Sequence, residues 1–294
     1  MIQTETAAAR YANIEDWTSL DLVEGIVEGQ FAAISAVHAA RVTIAEAIAR
    51  AAERLSKGGR FVYLGAGTSG RIATQDAAEL PPTFNWPYER AISLMAGGDA
   101  AFIKAIEGAE DGETEAPREL DNHGIGENDV VIGLAASGRT PFVVSGLKHA
   151  REKGALTIGI LNSRGGKVGE VSEIEILLET GSELLAGSTR MKAGTAQKAA
   201  LNCISTGVMI KLGYVYKGLM VEMRPTNEKL RRRAADIVAR ITGADQVEAQ
   251  AKLLEADYSI KHACLMIEKS LSRVEAEQAL EQAGGNLRKA MEAS

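Results

Sequence analysis

The chain has 294 residues, 46% hydrophobic and 24% charged, enough for a large α/β domain with a smaller appendage, and this composition excludes disorder as its main state. Its formal net charge is -6, which disfavours non-specific nucleic-acid binding, because that needs a basic surface; a phosphate ligand needs only a few local donors. Aromatic residues make up 4%, too few for base-stacking platforms.

Thr18 and Asp21 fit a capping box that opens a helix. Leu22, Val23, Ile26, Val27, Phe31 and Ile34 then recur at helical spacing. A second helix is predicted from Val42 to Leu55 and closed by Gly58-Gly59. The period then changes. Short apolar runs at Arg60–Leu64, Ala91–Met95, Asp129–Leu134, Leu156–Leu161 and Ile174–Leu178 read as buried strands. Helical segments separate them, among them Arg71–Leu80, Asp99–Asp111 and Thr140–Lys153. Strands alternating with helices predict an α/β fold with a doubly wound, five-stranded parallel sheet in a flavodoxin-like order. Such sheets bind ligands at the carboxyl ends of their strands.

Arg190 to Leu212 reads as one long helix. Beyond Arg224-Pro225 only helical patterns remain, broken by Gly243 and Gly284-Gly285. The predicted organisation is N-terminal helices over 1–57, a sheet domain over 58–223 and a small helical domain over 224–294. Cys203 and Cys264 form no CxxC pair, so neither zinc nor a disulfide framework is indicated, and their apolar neighbours predict buried thiols. The stretch up to Trp17 lacks a basic start and an apolar core, and no apolar run reaches the length of a bilayer span. A reducing cytoplasm is the expected compartment.

Three turns carry phosphate-type chemistry. Gly65–Arg71 (GAGTSGR) directly follows the first strand, Ala135–Thr140 (AASGRT) follows the third, and Gly187–Lys192 (GSTRMK) opens the long helix. Small hydroxyl residues there combine O–H and backbone N–H donors, and a helix N-terminus adds a field that favours an anion. One such loop is often only a tight turn with a cap; three on one chain point to a monophosphate. Gly65, Gly67 and Gly70 also match a dinucleotide fingerprint. That reading needs an acid about 20 residues on to hold the ribose, whereas Asp99 stands 29 residues past Gly70 and looks like a helix N-cap.

Two carboxylates attract attention. Glu79 precedes Leu80-Pro81-Pro82 and lies seven residues after Ile72, on a helix that Pro81 should stop near Leu80. Glu110 lies four residues after Ile106 and seven after Ile103, on the apolar stripe of its predicted helix. Burying a carboxylate there is costly and raises its pKa, which suits general acid–base work; pairing with a basic residue is the alternative. His38, His123, His149 and His262 show no paired metal spacing and read as structural or surface residues.

Together these segments resemble the N-acetylmuramic acid 6-phosphate etherase family, built on a sugar isomerase (SIS) domain. The resemblance runs through GAGTSGR, DAAELPPT at Asp76–Thr83, EGAED at Glu107–Asp111, AASGRTP at Ala135–Pro141 and GSTRMKAGTAQK at Gly187–Lys198. It continues through Leu201–Gly213 and Thr226–Leu230, and Gly284–Arg288 is similar to the family's UBA-like end. Ala78 and Leu80 stand where the family usually has serine and cysteine, and Ser163 where it often has proline.

The resemblance implies a lyase that needs no cofactor and no metal. It cleaves the D-lactyl ether of N-acetylmuramic acid 6-phosphate to N-acetylglucosamine 6-phosphate and D-lactate, by elimination and then water addition. It implies Glu110 as the base at the second carbon and Glu79 as the acid for lactate departure. Ser69, Ser137 and Thr140 are the leading phosphate ligands, followed by Thr68, Ser188 and Lys192. SIS domains commonly pair, so the apolar N-terminal helices predict a homodimer, unless they serve only to cover their own sheet. The competing readings are a SIS-type aldose–ketose isomerase, which needs one base and no acid for a leaving lactate, and a non-enzymatic sensor such as the related glucokinase regulatory proteins. A SIS-type transcription regulator would need a basic helix-turn-helix, which the apolar N-terminal helices do not supply.

Overall fold

Apolar runs too short for helices and buried on both faces form a central sheet in the computed structural model, which describes residues 3–293. Its strands are β1 (Phe61–Gly65), β2 (Ala91–Met95), β3 (Val130–Ala135), β4 (Leu156–Leu161) and β5 (Ile174–Leu177). They are all parallel, in the order β2-β1-β3-β4-β5. Every residue of β1, β3 and β4 is buried, so these strands show no period-two alternation, as expected when helices cover both faces. β5, at one edge, alternates and exposes Glu175.

The chain reverses direction across the sheet between β1 and β3, which pair directly, Gly65 opposite Leu134. The loops after these two strands therefore open side by side at the carboxyl edge, the usual ligand position in such sheets. An ion pair holds the opposite edge. The Arg60 guanidinium and amide bind the Asp129 carboxylate, and Arg60 also donates to the carbonyls of His123 and Gly124.

The helices along this part of the chain are α1 (Ser19–Ala39), α2 (Arg41–Ser56), α3 (Gly67–Phe84), α4 (Ala100–Ile103), α5 (Glu115–Asn122), α6 (Pro141–Glu152), α7 (Lys167–Val171) and α8 (Lys192–Lys211). The Thr18–Asp21 capping box is present at the start of α1. α6 buries Phe142, Val143 and Leu147 against Val62, Leu64 and Val131. Gly146 permits that approach, since a Cβ there would meet Leu64 Cδ1 at 2.6 Å.

Two predicted helices differ from the structure. α3 does not stop at Leu80; it runs through Pro81 and Pro82 to Phe84. The prolines sit in its last turn, and burial of Leu80, Phe84 and the following Trp86 offsets their conformational cost. The predicted helix over Asp99–Asp111 is broken. α4 ends after four residues, Lys104 is extended, and Gly108 turns with φ 71° into a short 3-10 turn at Ala109–Asp111. Its apolar period has no core to face: Phe102, Ile103 and Ile106 are all exposed, Ile103 by 84%. Asp99 makes no side-chain cap. Cys203 is exposed rather than buried, whereas Cys264 is buried.

The chain forms two compact units. The first runs to Ala78 and resumes over Tyr88–Ser205; the second takes Glu79–Pro87 and the chain from Thr206 onward. The second unit contains a short antiparallel hairpin, β6 (Val215–Tyr216) and β7 (Leu219–Met220), that the sequence reading did not foresee. Five helices follow: α9 (Glu228–Thr242), α10 (Gln246–Glu255), α11 (Ile260–Glu268), α12 (Arg273–Gln282) and α13 (Leu287–Glu292). Asn227, Asp245, Ser259, Ser272 and Asn286 cap them, each side chain accepting an amide of the first turn. Their core is built on Val238, Ile241, Leu253, Leu265 and Leu287. Trp86 packs edge-on against Tyr214, ring centroids 5.7 Å apart.

Candidate active site

The β1–α3 turn owes its shape to glycine. A Cβ on Gly65 would stand 2.7 Å from both Cα and N of Gly70, so the strand end and the first helical turn nearly touch. Gly67 adopts φ +53°, a region other residues reach only with strain. The helix begins at Gly67, which places Thr68 and Ser69 in its first turn, where backbone N–H groups lack intrahelical acceptors. Ser69 is buried and donates to Gln197 Oε1 at 2.9 Å.

The β3–α6 loop has the same character. Gly138, with φ +68°, packs against Gly166, and the Ser137 hydroxyl accepts the Arg139 amide at 3.2 Å. Thr140 precedes Pro141 at the start of α6, and its side chain makes no capping bond. Ser137 and Thr140 are half-buried. Both loops thus sit at the carboxyl ends of adjacent strands.

The third turn is arranged differently. The amides of Lys192 and Ala193 at the start of α8 donate to the two oxygens of Glu183, at 3.2 and 2.9 Å. The protein's own carboxylate therefore fills that helix N-terminus. Burial pushes the Glu183 carboxyl up, against the pull of those two amides. Lys192 is buried too, its stem against α1 beside Gly29. Burial lowers its pKa, and the neighbouring Glu183 charge opposes that. Ser188 is half-buried in the turn before it.

Glu110 lies on the 3-10 turn after Gly108 and is exposed, so the expected burial on an apolar helix face does not occur. It lines a cavity of about 230 Å³ together with Ala66, Gly67, Arg71, Met95 and Ile106. The structure thus brings Glu110 and the β1–α3 turn into one hollow. Arg71 braces it: its guanidinium donates to the carbonyls of Ala101 and Phe102, each at 2.9 Å, and ties α4 to α3. Glu79 is exposed on the last part of α3. Among the described residues, no group of three His, Cys, Asp or Glu side chains is placed to hold a metal ion. His149 pairs with Asp121 at 2.9 Å, and His262 Nδ1 lies 2.7 Å from the Ser259 hydroxyl.

Arg71, Glu183 and Gln197 were not among the residues the sequence singled out. Gln197 carried a usable signal. It lies four residues after Ala193 and four before Leu201, a polar residue on the buried stripe of α8. Glu183, in an irregular stretch, carried none.

The model of the glucokinase regulatory protein N-terminal SIS domain matches residues 43–151. A phosphoheptose isomerase structure from Francisella tularensis is 21% identical, with a TM-score of 0.49, and the match covers 66% of this chain and 98% of that one. An N-acetylmuramic acid 6-phosphate etherase from Clostridium beijerinckii is 44% identical over 99% of this chain and 96% of its own length. The corresponding etherase from Deinococcus radiodurans is 45% identical over 98% of this chain and 95% of its own. Likeness of that degree along both whole lengths places this chain in the N-acetylmuramic acid 6-phosphate etherase family.

Proposed function

We propose that the chain is a carbon–oxygen lyase that releases D-lactate from N-acetylmuramic acid 6-phosphate, leaving N-acetylglucosamine 6-phosphate. The observation that carries this reading is the shared cavity of Glu110 and the β1–α3 turn, in a chain that matches named etherases end to end. The open-chain aldehyde acidifies the proton on its second carbon. Glu110 removes that proton, the bond from the third carbon to the lactyl oxygen breaks, and Glu79 protonates the departing lactate. Water then adds across the resulting double bond: its hydroxyl goes to the third carbon with Glu79 as base, and a proton returns to the second carbon. The net change is addition of one water, with no redox step. Each positioned acid or base contributes roughly 10²–10⁴-fold.

The phosphate sits at the two adjacent loop mouths, among Thr68, Ser69, Ser137 and Thr140, where remote binding energy places the reacting carbons. The GSTRMK turn, with Ser188 and Lys192, is left out of this contact, because Glu183 already satisfies its helix N-terminus. An exposed apolar stripe on the N-terminal helices, Val23, Val27, Phe31 (72% exposed) and Ile34, supports a homodimer formed through that face. The enzyme would work in the cytoplasm, in recycling of cell-wall amino sugars. No single helix is long and apolar enough to cross a membrane among the described residues.

Incubation with N-acetylmuramic acid 6-phosphate should release D-lactate. In deuterated water Glu110→Gln should stop exchange at the second carbon, and Glu79→Gln should slow lactate release more than exchange. A chain that interconverts aldose and ketose phosphates without releasing lactate would be an isomerase instead.

A further inference from the structure

Two surfaces of the chain combine exposed apolar groups with unpaired charge, and their charges are of opposite sign. One is the segment over residues 99–111, which forms one wall of the Glu110 cavity. Its inner side is fixed: Ala101 is buried, and Arg71 donates to the carbonyls of Ala101 and Phe102. Its outer side is apolar, with Phe102 47%, Ile103 84% and Ile106 45% exposed. A tethered segment that keeps three large apolar side chains in water has the character of a contact surface. It is also acidic. Asp99, Glu107, Glu110 and Asp111 outnumber its one cation, Lys104, and none of these five pairs with an opposite charge among the described residues.

The other surface lies in the second unit, where β7 and α9 flank a groove of about 700 Å³. Leu219 and Met220, both half-buried, and the buried Ile237 give it an apolar floor. Lys229, Arg233 and Arg240 recur along one face of α9 and line its rim. Arg232 is neutralised by Glu228 at 2.5 Å, and Asp236 accepts Gln246 Nε2 at 3.1 Å. Lys229, Arg233 and Arg240 have no such partner among the described residues. In a chain of net charge -6, three free cations around an apolar floor suit an acidic, apolar occupant.

We infer that two copies of the chain dock reciprocally, the β7–α9 groove of each receiving the 99–111 segment of the other. A two-fold axis makes the two contacts equal and closes the assembly. This rests on the homodimer reading above and adds a second contact to the one through the N-terminal helices. Exposed ion pairs are individually weak, so the apolar side chains supply most of the association, while the charges select the partner and its register. The contact also changes the site. Glu110 is exposed in the single chain; docking covers the mouth of its cavity and sets the α9 cations of the other copy nearby, which favours the ionised carboxylate a base requires. The site is therefore incomplete in one copy.

The test places a photoreactive benzophenone side chain at position 103 of the full chain, where Ile103 is exposed, and irradiates it at micromolar concentration. Crosslinking between copies gives a product of twice the chain's mass on a denaturing gel; crosslinking within one copy does not. Peptide mapping of that product should join position 103 to residues 218–220 or 229–240. A monomer-mass product alone, or joining to any other stretch, would overturn the inference. So would the absence of a product from protein that light scattering shows to be dimeric, which would leave the groove to a different acidic partner. Ile103→Lys and Arg233→Glu should each weaken dimerisation about tenfold, and each breaks both contacts of its own dimer. Co-expressed with different tags and purified as the mixed dimer, the two variants leave one contact between native surfaces. D-lactate release should then return to about half the wild-type rate. A mixed dimer no more active than its parents would overturn the reciprocal arrangement, because a contact made within each copy stays broken on mixing. Wild-type protein that crosslinks as expected yet releases no D-lactate would defeat the etherase reading alone.

Discussion

Replacing Gly65 by alanine tests whether the near contact of β1 and α3 sets the site. The new Cβ would sit 2.7 Å from Gly70 Cα and N and 2.9 Å from the Ser69 carbonyl carbon. All three are backbone atoms, so no rotamer change relieves the clash. Restoring a separation of about 3.5 Å requires the first turn of α3 to retreat by about 0.8 Å. A shift of that size moves Ser69 relative to Gln197, to which it donates at 2.9 Å in the native chain. Overpacking of this kind costs about 1–3 kcal/mol. A misplacement approaching 1 Å at a substrate-positioning turn costs on the order of 10²-fold in rate. Urea unfolding should show the lower midpoint, and D-lactate release should show the lower kcat/KM. Gly126→Ala is the control: a Cβ there meets nothing within 4 Å and its φ is not positive, so both values should stay near wild type. A Gly65→Ala protein with the native midpoint and native turnover would refute the argument that this contact sets the turn.

Other elements give independent tests. Burial pushes the Asp129 carboxyl up, but the Arg60 guanidinium and the Gly126 and Arg60 amides outweigh it and hold the group below the usual carboxylate range. Its folded pKa being depressed, the stability it contributes is present above the unfolded value of about 3.9 and is lost as pH falls through the folded value. Asp129→Asn should therefore lower the urea midpoint at pH 7 and flatten the acid limb of a midpoint-against-pH plot; an unchanged acid limb would contradict the ion pair's role. Burial pushes the Cys264 thiol up to about 12, so a thiol reagent at pH 8 should leave it unmodified until the protein unfolds, as peptide mass mapping would report. Phe31→Asp should give a monomer by light scattering at micromolar concentration if the N-terminal helices form the homodimer face; a variant still dimeric would place the interface elsewhere.

Much of the architecture was legible in the sequence because it depends on local chemistry. Strands buried on both faces need continuous apolar runs, and the runs ending at Leu64, Met95, Leu134, Leu161 and Leu178 mark the observed strands to within a residue. Thr18 and Asp21 satisfy a helix start from within four residues. The doubly wound order follows from alternating strands and helices, and that order brings the β1 and β3 loops together.

The surroundings of each site residue were decided by the tertiary structure. The apolar period around Glu110 looked helical, yet Lys104 and Gly108 break it and Phe102, Ile103 and Ile106 face outward, because no core lies opposite them. Pro81 and Pro82 should have ended α3, but burial of Leu80, Phe84 and Trp86 carries it on. Ser69 is marked by its motif, but only the fold brings Gln197, 128 residues away, to accept a hydrogen bond from its hydroxyl. Local propensity is a property of neighbouring residues, while a hydrogen-bond partner or a buried face belongs to whichever distant segment the fold brings alongside. For that reason the sequence could offer candidate residues, but not the partner each of them meets in the fold.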